Sequence, residues 1–386
     1  MFTKIVTNFN KGISARNLST YLNSHVAFSK EISINGVTES IYMKENFSKK
    51  FIENTIGSKT ISTLGYGPQA MSQSLNLRDN GYNVILGVRK SDNPKSSWMK
   101  AIKDSWIPGE TLFEIDEATS KGDFVQYLLS DAGQINQWSL VKDNLKNDAT
   151  LYFSHGFGIV YNDKTKILPP ENNDVILVAP KGPGIFVRQN YLNNDHVNAS
   201  WAVYQNSSGI AEKKAIALGF AIGCDNLFET TFEKETTSDL VGERSVLMGM
   251  IQGAFKAQYD LLRENGHSPS EAYNETVEEA LRTLYPLVSD KGMDWMYENC
   301  STTAQRGALD WAPKFYQAIK PVIEDCYKDV KSGKEAEIVI KSNSSDNYRE
   351  KLTQELNEIK NQEVWQAYRV MRQFRPGVRK NEVFLL

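Results

Sequence analysis

The spacing of apolar residues along the chain changes character near residue 232. Before that point, short apolar runs of strand length alternate with longer stretches in which apolar positions recur at helical spacing. Strands are predicted at 60–65, 83–89, 124–130, 150–154, 174–179, 201–205 and 227–232, and helices near 72–80, 135–144 and 211–222. This alternation predicts a doubly wound α/β domain, because parallel strands are joined by helices that cover both faces of the sheet.

After residue 232 the helical periodicity dominates. Helices are predicted at 239–264, 269–287, 292–300 and 311–330, followed by a polar interruption at 331–348 and a last charged helix at 349–372. The sequence therefore predicts an α/β domain over 31–232 and an all-helical domain over 233–386.

The first thirty residues differ from the rest of the chain. They contain Lys4, Lys11, Arg16 and Lys30, and the first acidic residue is Glu31. A basic, acid-free leader is typical of an organelle transit peptide, and a frayed N-terminal arm is the alternative. In both interpretations residues 1–30 lie outside the fold. The predicted location is the mitochondrial matrix, with the plastid or the cytoplasm as alternatives.

Composition narrows the classes of partner. The 386 residues are 40% hydrophobic with a net charge of -3, so the chain can bury real cores and has no basic excess for nucleic acid. No apolar run reaches the ~20 residues that a membrane span requires. Three cysteines, far apart in sequence, predict neither a disulfide framework nor a zinc site.

A glycine turn follows the first predicted strand of the α/β domain. Gly65 would make the tight turn, Gly67 would let the backbone approach a pyrophosphate, and Ala70 would allow close packing of helix on strand. Arg89 and Lys90 end the next strand, where an NAD enzyme would carry Asp or Glu. Two cations at that position favour a ribose 2′-phosphate, and the predicted cofactor is NADPH.

Two pairs of carboxylates occur in the helical region. Asp239 and Glu243 are four residues apart, as are Glu275 and Glu279, so each pair projects from one face of a helix. Apolar residues flank both pairs, which predicts that they lie near a core. Carboxylates near a core need cations, and hard oxygen ligands favour Mg²⁺.

Seven motifs, in this order, resemble those of the ketol-acid reductoisomerase (acetohydroxyacid isomeroreductase) family. They are Gly65-Tyr66-Gly67, Leu77-Arg78-Asp79-Asn80-Gly81, Phe153-Ser154-His155-Gly156-Phe157, Ala179-Pro180-Lys181-Gly182-Pro183-Gly184, Ser238-Asp239-Leu240-Val241-Gly242-Glu243-Arg244, Asn274-Glu275-Thr276-Val277-Glu278-Glu279 and Cys300-Ser301-Thr302-Thr303-Ala304. The resemblance covers roughly 58–376 and is to the short form, with a single helical domain. It implies a Rossmann-like NADPH-binding domain and a helical domain that interlocks with its copy as a knotted homodimer.

The resemblance also assigns metal and substrate ligands. It implies that Asp239 bridges two Mg²⁺ ions, with Glu243 on one ion and Glu275, directly or through water, on the other. Glu279 is also expected among the metal ligands and, with Ser301, would contact the substrate. Glu275, Glu279 and Ser301 are expected from the partner subunit.

The implied reaction is an alkyl migration in 2-acetolactate or 2-aceto-2-hydroxybutyrate, followed by hydride reduction, in valine and isoleucine biosynthesis. Lys181 would lie near the substrate oxygen, His155 near the nicotinamide, and a protonated Glu279 near the migrating centre, so these three are the predicted catalytic residues. The predicted cofactor contacts are Gly65, Tyr66, Gly67, Pro68, Gln69, Arg89, Lys90, Ser97, Ser130, Asp131, His155 and Gly156.

Two other interpretations of the pattern remain open. One is an NADPH enzyme of the 3-hydroxyacid dehydrogenase type, which also joins an α/β domain to a helical one but does not need paired carboxylates. The other is a nucleotide-binding scaffold without activity, against which the intact acidic residues and Lys181 argue. Dependence on Mg²⁺ separates the first of these from the family assignment.

Overall fold

The computed structural model describes residues 29–376, which form two compact units that meet in sequence at Glu235 and Thr236. The sequence prediction placed this boundary after residue 232. Most of the predicted transit segment lies outside the described residues. Ser29 and Lys30, however, begin the first strand, so the fold starts two residues before the predicted boundary.

The first unit is built on one ten-stranded sheet. In chain order its strands are β1 (Ser29–Ile34), β2 (Val37–Met43), β3 (Thr60–Leu64), β4 (Asn83–Gly87), β5 (Leu112–Phe113), β6 (Phe124–Tyr127), β7 (Thr150–Phe153), β8 (Asp174–Pro180), β9 (Asn198–Gln205) and β10 (Asn226–Glu229). Across the sheet they follow the order β1-β2-β10-β9-β8-β7-β6-β3-β4-β5.

Six of these strands, from β5 across to β8, form a parallel doubly wound core. The strand order reverses between β3 and β6, which places a crevice at the carboxyl ends of these neighbouring strands. The α/β prediction is confirmed. β9 runs antiparallel to β8, and β10 runs parallel to β9, which extends the sheet beyond the dinucleotide-binding core.

The β1–β2 hairpin at the sheet edge was not predicted. Its two-residue turn is Asn35 and Gly36, both with positive φ (50° and 82°). Asn-Gly is the preferred sequence for this mirror-image turn, because only residues that tolerate positive φ can occupy both positions. The dipeptide was therefore a usable signal. The flanking strands are mostly exposed and polar, which weakened their hydrophobic pattern.

The helices of the first unit flank the parallel strands. Their bounds are Lys49–Ile52, Pro68–Asp79, Ser97–Lys103, Ile115–Lys121, Asp131–Asn144, Phe157–Val160, Asn162–Thr165, Gly184–Asn193 and Ala211–Ala221, with a π-helical turn at Glu53–Gly57 and a 3-10 turn at Lys44–Asn46. Two large clusters of buried apolar side chains form the core of this unit. The predicted strand at 124–130 was too long, because Ser130 already caps the helix Asp131–Asn144.

The second unit is helical, as predicted, but its helices begin and end differently. They are Phe232–Arg244, which starts in the first unit, then Gly249–Glu264, Pro269–Tyr273, Tyr285–Lys291, Met293–Glu298, Thr302–Lys331, Lys334–Asn343, Tyr348–Asn361 and Glu363–Met371, with π-helical turns at Asn274–Glu278 and Ala280–Leu284 and a 3-10 turn at Arg372–Phe374. Phe232 starts a helix, so the strand predicted at 227–232 was wrong at its end. The polar interruption predicted at 331–348 was also wrong. The chain forms a helix there, with Ala336 buried and Glu335 bonded to Arg244.

The core of the helical unit is small. It consists of Phe255, Tyr259, Ala272, Tyr273, Val277 and Val364. The longest helix, Thr302–Lys331, buries only Val330, while Trp311, Phe315 and Tyr316 are more than half exposed (56%, 59% and 62%). Among the described residues, no helix combines the length and the apolar character that crossing a bilayer would demand.

Candidate functional site

The glycine turn between β3 and the helix Pro68–Asp79 has the geometry that a phosphate site needs. Gly65 adopts φ +97°, and a Cβ there would lie 3.1 Å from the Leu128 carbonyl oxygen, so a larger residue would be strained. Gly67 caps the helix, and no atom lies within 4 Å of where its Cβ would be. The open backbone and the positive end of a twelve-residue helix fit a pyrophosphate.

Two neighbours of these glycines use their side chains for other contacts. The Tyr66 hydroxyl donates to Asp104 (2.7 Å) and accepts from the Trp106 indole N–H (3.1 Å); burial raises the pKa of this phenol. Gln69 donates its amide to the Gly182 carbonyl (2.9 Å). For a bound cofactor, Tyr66 therefore offers its backbone. Pro68 occupies the first helical turn, where the missing N–H costs little.

Positively and negatively charged side chains lie close to the end of β4. Arg89 and Lys90 are exposed, as the cofactor prediction requires. Glu114, at the end of β5, accepts the Lys90 backbone N–H with both carboxylate oxygens (3.2 Å each). The Ser96 hydroxyl accepts from the Met99 N–H and donates to the Ser91 carbonyl. Ser97, in contrast, is exposed at the start of the helix. Of these two serines, Ser97 has the hydroxyl better placed for a ligand.

Predicted cofactor contacts also lie at two further positions, one after β6 and one after β7. Ser130 is exposed and caps the helix Asp131–Asn144 by accepting the Gly133 N–H (3.3 Å), and Asp131 lies in its first turn. Gly156 is buried directly before the helix Phe157–Val160. Both positions lie at the carboxyl ends of parallel strands, the edge where ligands bind in this architecture.

A buried carboxylate that the sequence analysis did not single out joins the two predicted catalytic side chains of this unit. The Glu235 side chain is only 1% exposed, and its two oxygens lie 3.4 Å from His155 Nδ1 and 3.7 Å from Lys181 Nζ. A buried carboxylate is costly unless cationic or donor groups face it, so this arrangement holds both side chains at the sheet edge. The available signal was spacing, since Glu235 lies one helical turn before Asp239.

Asp239 and Glu243 lie on one face of the helix Phe232–Arg244, as the spacing predicted. Asp239 is half-buried and Glu243 is exposed. Their carboxylate oxygens are the hard donors that Mg²⁺ prefers, so this helix fits a magnesium ion.

The second acidic pair and Ser301 lie on the surface of the helical unit. Glu275 and Glu279 are exposed, in and just after the π-helical turn Asn274–Glu278. Their apolar neighbours Ala272, Tyr273 and Val277 do form part of a core, as predicted, but the two carboxylates are exposed and are not held at the edge of that core. Glu278 occupies that place, where Arg375 and the Tyr273 hydroxyl (3.0 Å) face it and hold the pKa of its carboxyl below the ordinary value. Ser301 is exposed and caps the helix Thr302–Lys331 through the Ala304 N–H (3.2 Å).

A glycine turn that fits a phosphate, on a doubly wound sheet and followed in sequence by a helical unit with paired carboxylates, is the arrangement expected of a nicotinamide-dependent oxidoreductase. Two family descriptions match nearly all of the described chain: the NADPH-binding domain of acetohydroxy acid isomeroreductase at residues 55–227, and the C-terminal domain of ketol-acid reductoisomerase at 232–377. The chain belongs to the ketol-acid reductoisomerase family. Members carry out an isomerisation and an NAD(P)H reduction in branched-chain amino acid biosynthesis.

Individual relatives agree with this assignment. A protein of Desulfosudis oleivorans named ketol-acid reductoisomerase (NAD(+)) is 54% identical over 91% of this chain and 99% of its own length. The mitochondrial ketol-acid reductoisomerase of Neurospora crassa is 50% identical over 91% of this chain and 87% of its own. A solved NADH-preferring ketol-acid reductoisomerase from an uncultured archaeon is 33% identical, covers 87% of this chain and 99% of that one, and has a TM-score of 0.76.

Proposed function

We propose that this protein converts 2-acetolactate and 2-aceto-2-hydroxybutyrate to 2,3-dihydroxy-3-methyl acids, in valine and isoleucine biosynthesis. The observation that carries the proposal is the buried Glu235 carboxylate with His155 and Lys181 at its two oxygens. The neighbouring glycine turn brings a reductant to the same edge of the sheet. A scaffold without activity would have no need for a buried acid between two titratable side chains.

The isomerisation needs a proton to leave a hydroxyl while an alkyl group moves with its bonding electrons to the adjacent carbonyl carbon. The first carbon becomes a ketone, and the former carbonyl oxygen takes up a proton. Lys181, whose Nζ lies 3.7 Å from Glu235, would give a proton to the former carbonyl oxygen and would regain one from the hydroxyl. Glu279 would act beside the migrating centre. His155 would orient the nicotinamide end, and a bound nucleotide would supply the hydride that reduces the new ketone.

The metal ligands proposed are Asp239, Glu243, Glu275 and Glu279. Bound Mg²⁺ would lower the pKa of the substrate hydroxyl and polarise the neighbouring carbonyl. The exposure of Glu275, Glu279 and Ser301 supports their use by a second copy of the chain, because a single copy leaves them in solvent. Ser301 would contact the substrate.

The proposed assembly is a homodimer through the helical unit. The large apolar side chains exposed on the helix Thr302–Lys331 support this, since a soluble protein rarely leaves such a face uncovered.

NADPH is the proposed reductant. The exposed Arg89 and Lys90 support it, because a guanidinium pairs with a 2′-phosphate far better than with a hydroxyl. NADH is the alternative, favoured by the Glu114 carboxylate beside the Lys90 backbone N–H and by relatives whose names specify NAD(+) or NADH. The ratio of kcat/KM for the two nucleotides decides between them.

The proposed location is the mitochondrial matrix. The basic, acid-free composition of residues 1–30 and the mitochondrial relative of Neurospora crassa support it. A fluorescent fusion of the full chain should enter mitochondria, and a fusion that lacks residues 1–30 should remain in the cytosol. Cytosolic signal from the full-length fusion would refute the targeting role.

The decisive assay follows nucleotide oxidation with 2-acetolactate as substrate. Turnover should require Mg²⁺ and should yield the dihydroxy acid. Reduction of a simple 3-oxo acid without Mg²⁺, and no reaction with 2-acetolactate, would instead indicate a dehydrogenase of the 3-hydroxyacid type.

A further inference from the structure

We propose that Gln73 is a positioning residue that fixes the His155 and Lys181 loops relative to each other. The inference rests on the proposed roles of those two side chains. Gln73 lies on the helix Pro68–Asp79 and is fully buried. It acts through the residues adjacent to His155 and Lys181.

The Gln73 amide uses its full hydrogen-bonding capacity. Its N–H groups donate to Gln69 Oε1 (3.1 Å) and Ser154 Oγ (2.8 Å). Its carbonyl oxygen accepts from Gln126 Nε2 (3.3 Å) and from the Tyr152 hydroxyl (2.8 Å), whose single proton has a longer alternative at the Val178 carbonyl (3.1 Å). Two donors and two lone pairs are all that a glutamine amide has. A buried group satisfied in this way has one low-energy orientation, so it can act as a fixed reference point.

The direction of the donors is set by the ends of the network. The Gly182 carbonyl can only accept, so Gln69 must present its NH₂ there and its oxygen to Gln73. Gln73 then presents its own oxygen to Gln126. At the far end, the Gln126 oxygen accepts from Thr63 Oγ1 (2.6 Å). Reversing any one amide would place two donors or two acceptors face to face.

Both arms from the Gln73 NH₂ group end next to a proposed catalytic residue. Ser154 directly precedes His155, and Gly182 directly follows Lys181. Gly182 has φ +153°, and a Cβ on Gly184 would collide with the Pro68 carbonyl, so the loop after β8 lies tightly against the start of the same helix. The donor side of Gln73 therefore serves both catalytic loops. On its acceptor side, Tyr152 also accepts from Ser154 (3.2 Å), and only Gln126 continues into the sheet interior, to Thr63.

Removing the Gln73 NH₂ group should lower kcat more than it changes KM for the nucleotide. Catalytic groups tolerate little displacement, and a shift of about 1 Å can cost on the order of 100-fold in rate. We expect Gln73→Met, which keeps the chain length and removes the amide, to lower kcat with 2-acetolactate by roughly that factor. KM for the nucleotide should stay unchanged, because the backbone of the glycine turn is retained.

Gln126→Met is the matched control. It removes an equally buried amide from the same network, but on the side away from the two loops. Both variants should lower Tm to a similar extent, while only Gln73→Met should lower kcat strongly. Equal losses of kcat in the two variants would reduce Gln73 to a general contributor to stability and overturn the proposal.

A second readout does not depend on turnover. The chain has four histidines, so the imidazole signals of ¹⁵N-histidine-labelled protein can be assigned by comparison with His155→Gln. Gln73→Met should shift the His155 signals, and Gln126→Met should leave them in place. Ser154→Ala removes the Gln73–Ser154 hydrogen bond, together with the one from Ser154 to Tyr152, and leaves the contact of Gln73 with Gln69 intact. It should reproduce that shift, and it serves if Gln73→Met does not fold. Unshifted His155 signals in Ser154→Ala or Gln73→Met would overturn the inference, whereas a wild-type protein inactive on 2-acetolactate would overturn the proposed function.

Discussion

The two units of this chain bury their side chains to very different extents. The α/β unit has two large apolar clusters on its sheet, and all seven residues of β8 are buried. Among the described residues, the helical unit has a core cluster of six buried apolar residues, and its longest helix exposes a row of aromatic side chains. A single copy thus supplies the α/β unit with a large core, whereas the helical unit leaves an apolar face exposed, as the proposed dimer would require.

Both units have exposed ion pairs, and the helical unit has two partly buried ones, Arg244 with Glu335 and Arg375 with Glu278, but the most buried pair among the described residues lies in the α/β unit. In the α/β unit, the Asp174 side chain is 1% exposed, and it pairs with Lys214 at 2.6 Å. In the helical unit, ion pairs such as Arg306 with Asp310 are more than half exposed. Buried pairs are costly to break, while exposed ones contribute little to stability. The contrast suggests that the α/β unit is stabilised from within and the helical unit by assembly.

The largest effect is expected on the exposed aromatic face. Phe315→Asp should raise the dimer dissociation constant by about 100-fold or more, because a charge at an apolar interface is poorly solvated and a central aromatic anchor is lost. Activity should fall with the dimer if Glu275 and Glu279 serve the partner copy. Sedimentation across a concentration series measures the shift. Leu168→Asp, an equally exposed apolar position in the α/β unit (55% against 59%), is the matched control and should change neither property.

The buried ion pair of the α/β unit should give the next largest effect. Asp174→Asn should lower the free energy of unfolding by about 3–5 kcal/mol, because Lys214 is left buried without its counter-ion. Urea titration measures this. Asp310→Asn in the helical unit is the control, and we expect no measurable loss. Comparable losses in both variants would remove the proposed contrast between the units.

The same pair predicts a pH dependence. Burial alone would raise the pKa of Asp174, but hydrogen bonds from Lys214 and Ser208 outweigh it and hold that pKa below its ordinary 3.8. A carboxyl with a lowered pKa stabilises the fold above the ordinary value, and this contribution is lost as pH falls through the lowered pKa. Wild-type and Asp174→Asn proteins should therefore converge in stability on acidification.

A smaller, purely functional effect is expected at the metal ligands of the helical unit. Glu275→Gln removes one anionic ligand and should lower overall kcat/KM by on the order of 100-fold. Conversion of 2-acetolactate should suffer more than reduction of the 3-hydroxy-2-keto acid supplied directly, since migration depends more on polarised oxygens. A Mg²⁺ titration with both substrates measures the difference. Glu271→Gln, on the same surface, is the control. Equal losses that added Mg²⁺ does not rescue would exclude Glu275 as a metal ligand.

The smallest effect concerns the cofactor. Arg89→Asp in the α/β unit should lower the NADPH/NADH ratio of kcat/KM by about tenfold, the loss expected for one charge-assisted contact. Glu114→Gln should move the ratio the other way, because it removes a negative charge beside the Lys90 backbone. If the ratio is unchanged in Arg89→Asp, Lys90 or Ser97 and not Arg89 distinguishes NADPH from NADH.

Local patterns in the sequence predicted much of the α/β unit. The strands at 60–65, 83–89 and 150–154 were located to within two residues, because each is a buried apolar run with a turn signal after it. Polar segments were predicted less well. The helix Lys334–Asn343 was taken for a linker, since its composition is polar and tertiary contacts of Ala336 and Glu335 stabilise it.

By itself, the sequence determined the alternation of strands and helices in the parallel core of the α/β unit, the glycine turn and the spacing of the carboxylates, because these depend on neighbours along the chain. Only the tertiary structure revealed that Glu235 meets both His155 and Lys181, and that Gln73 joins segments 81 residues apart in the chain. Such contacts have no local periodicity. They form where the ends of separate strands converge, and desolvation there makes each remaining polar group find a specific partner.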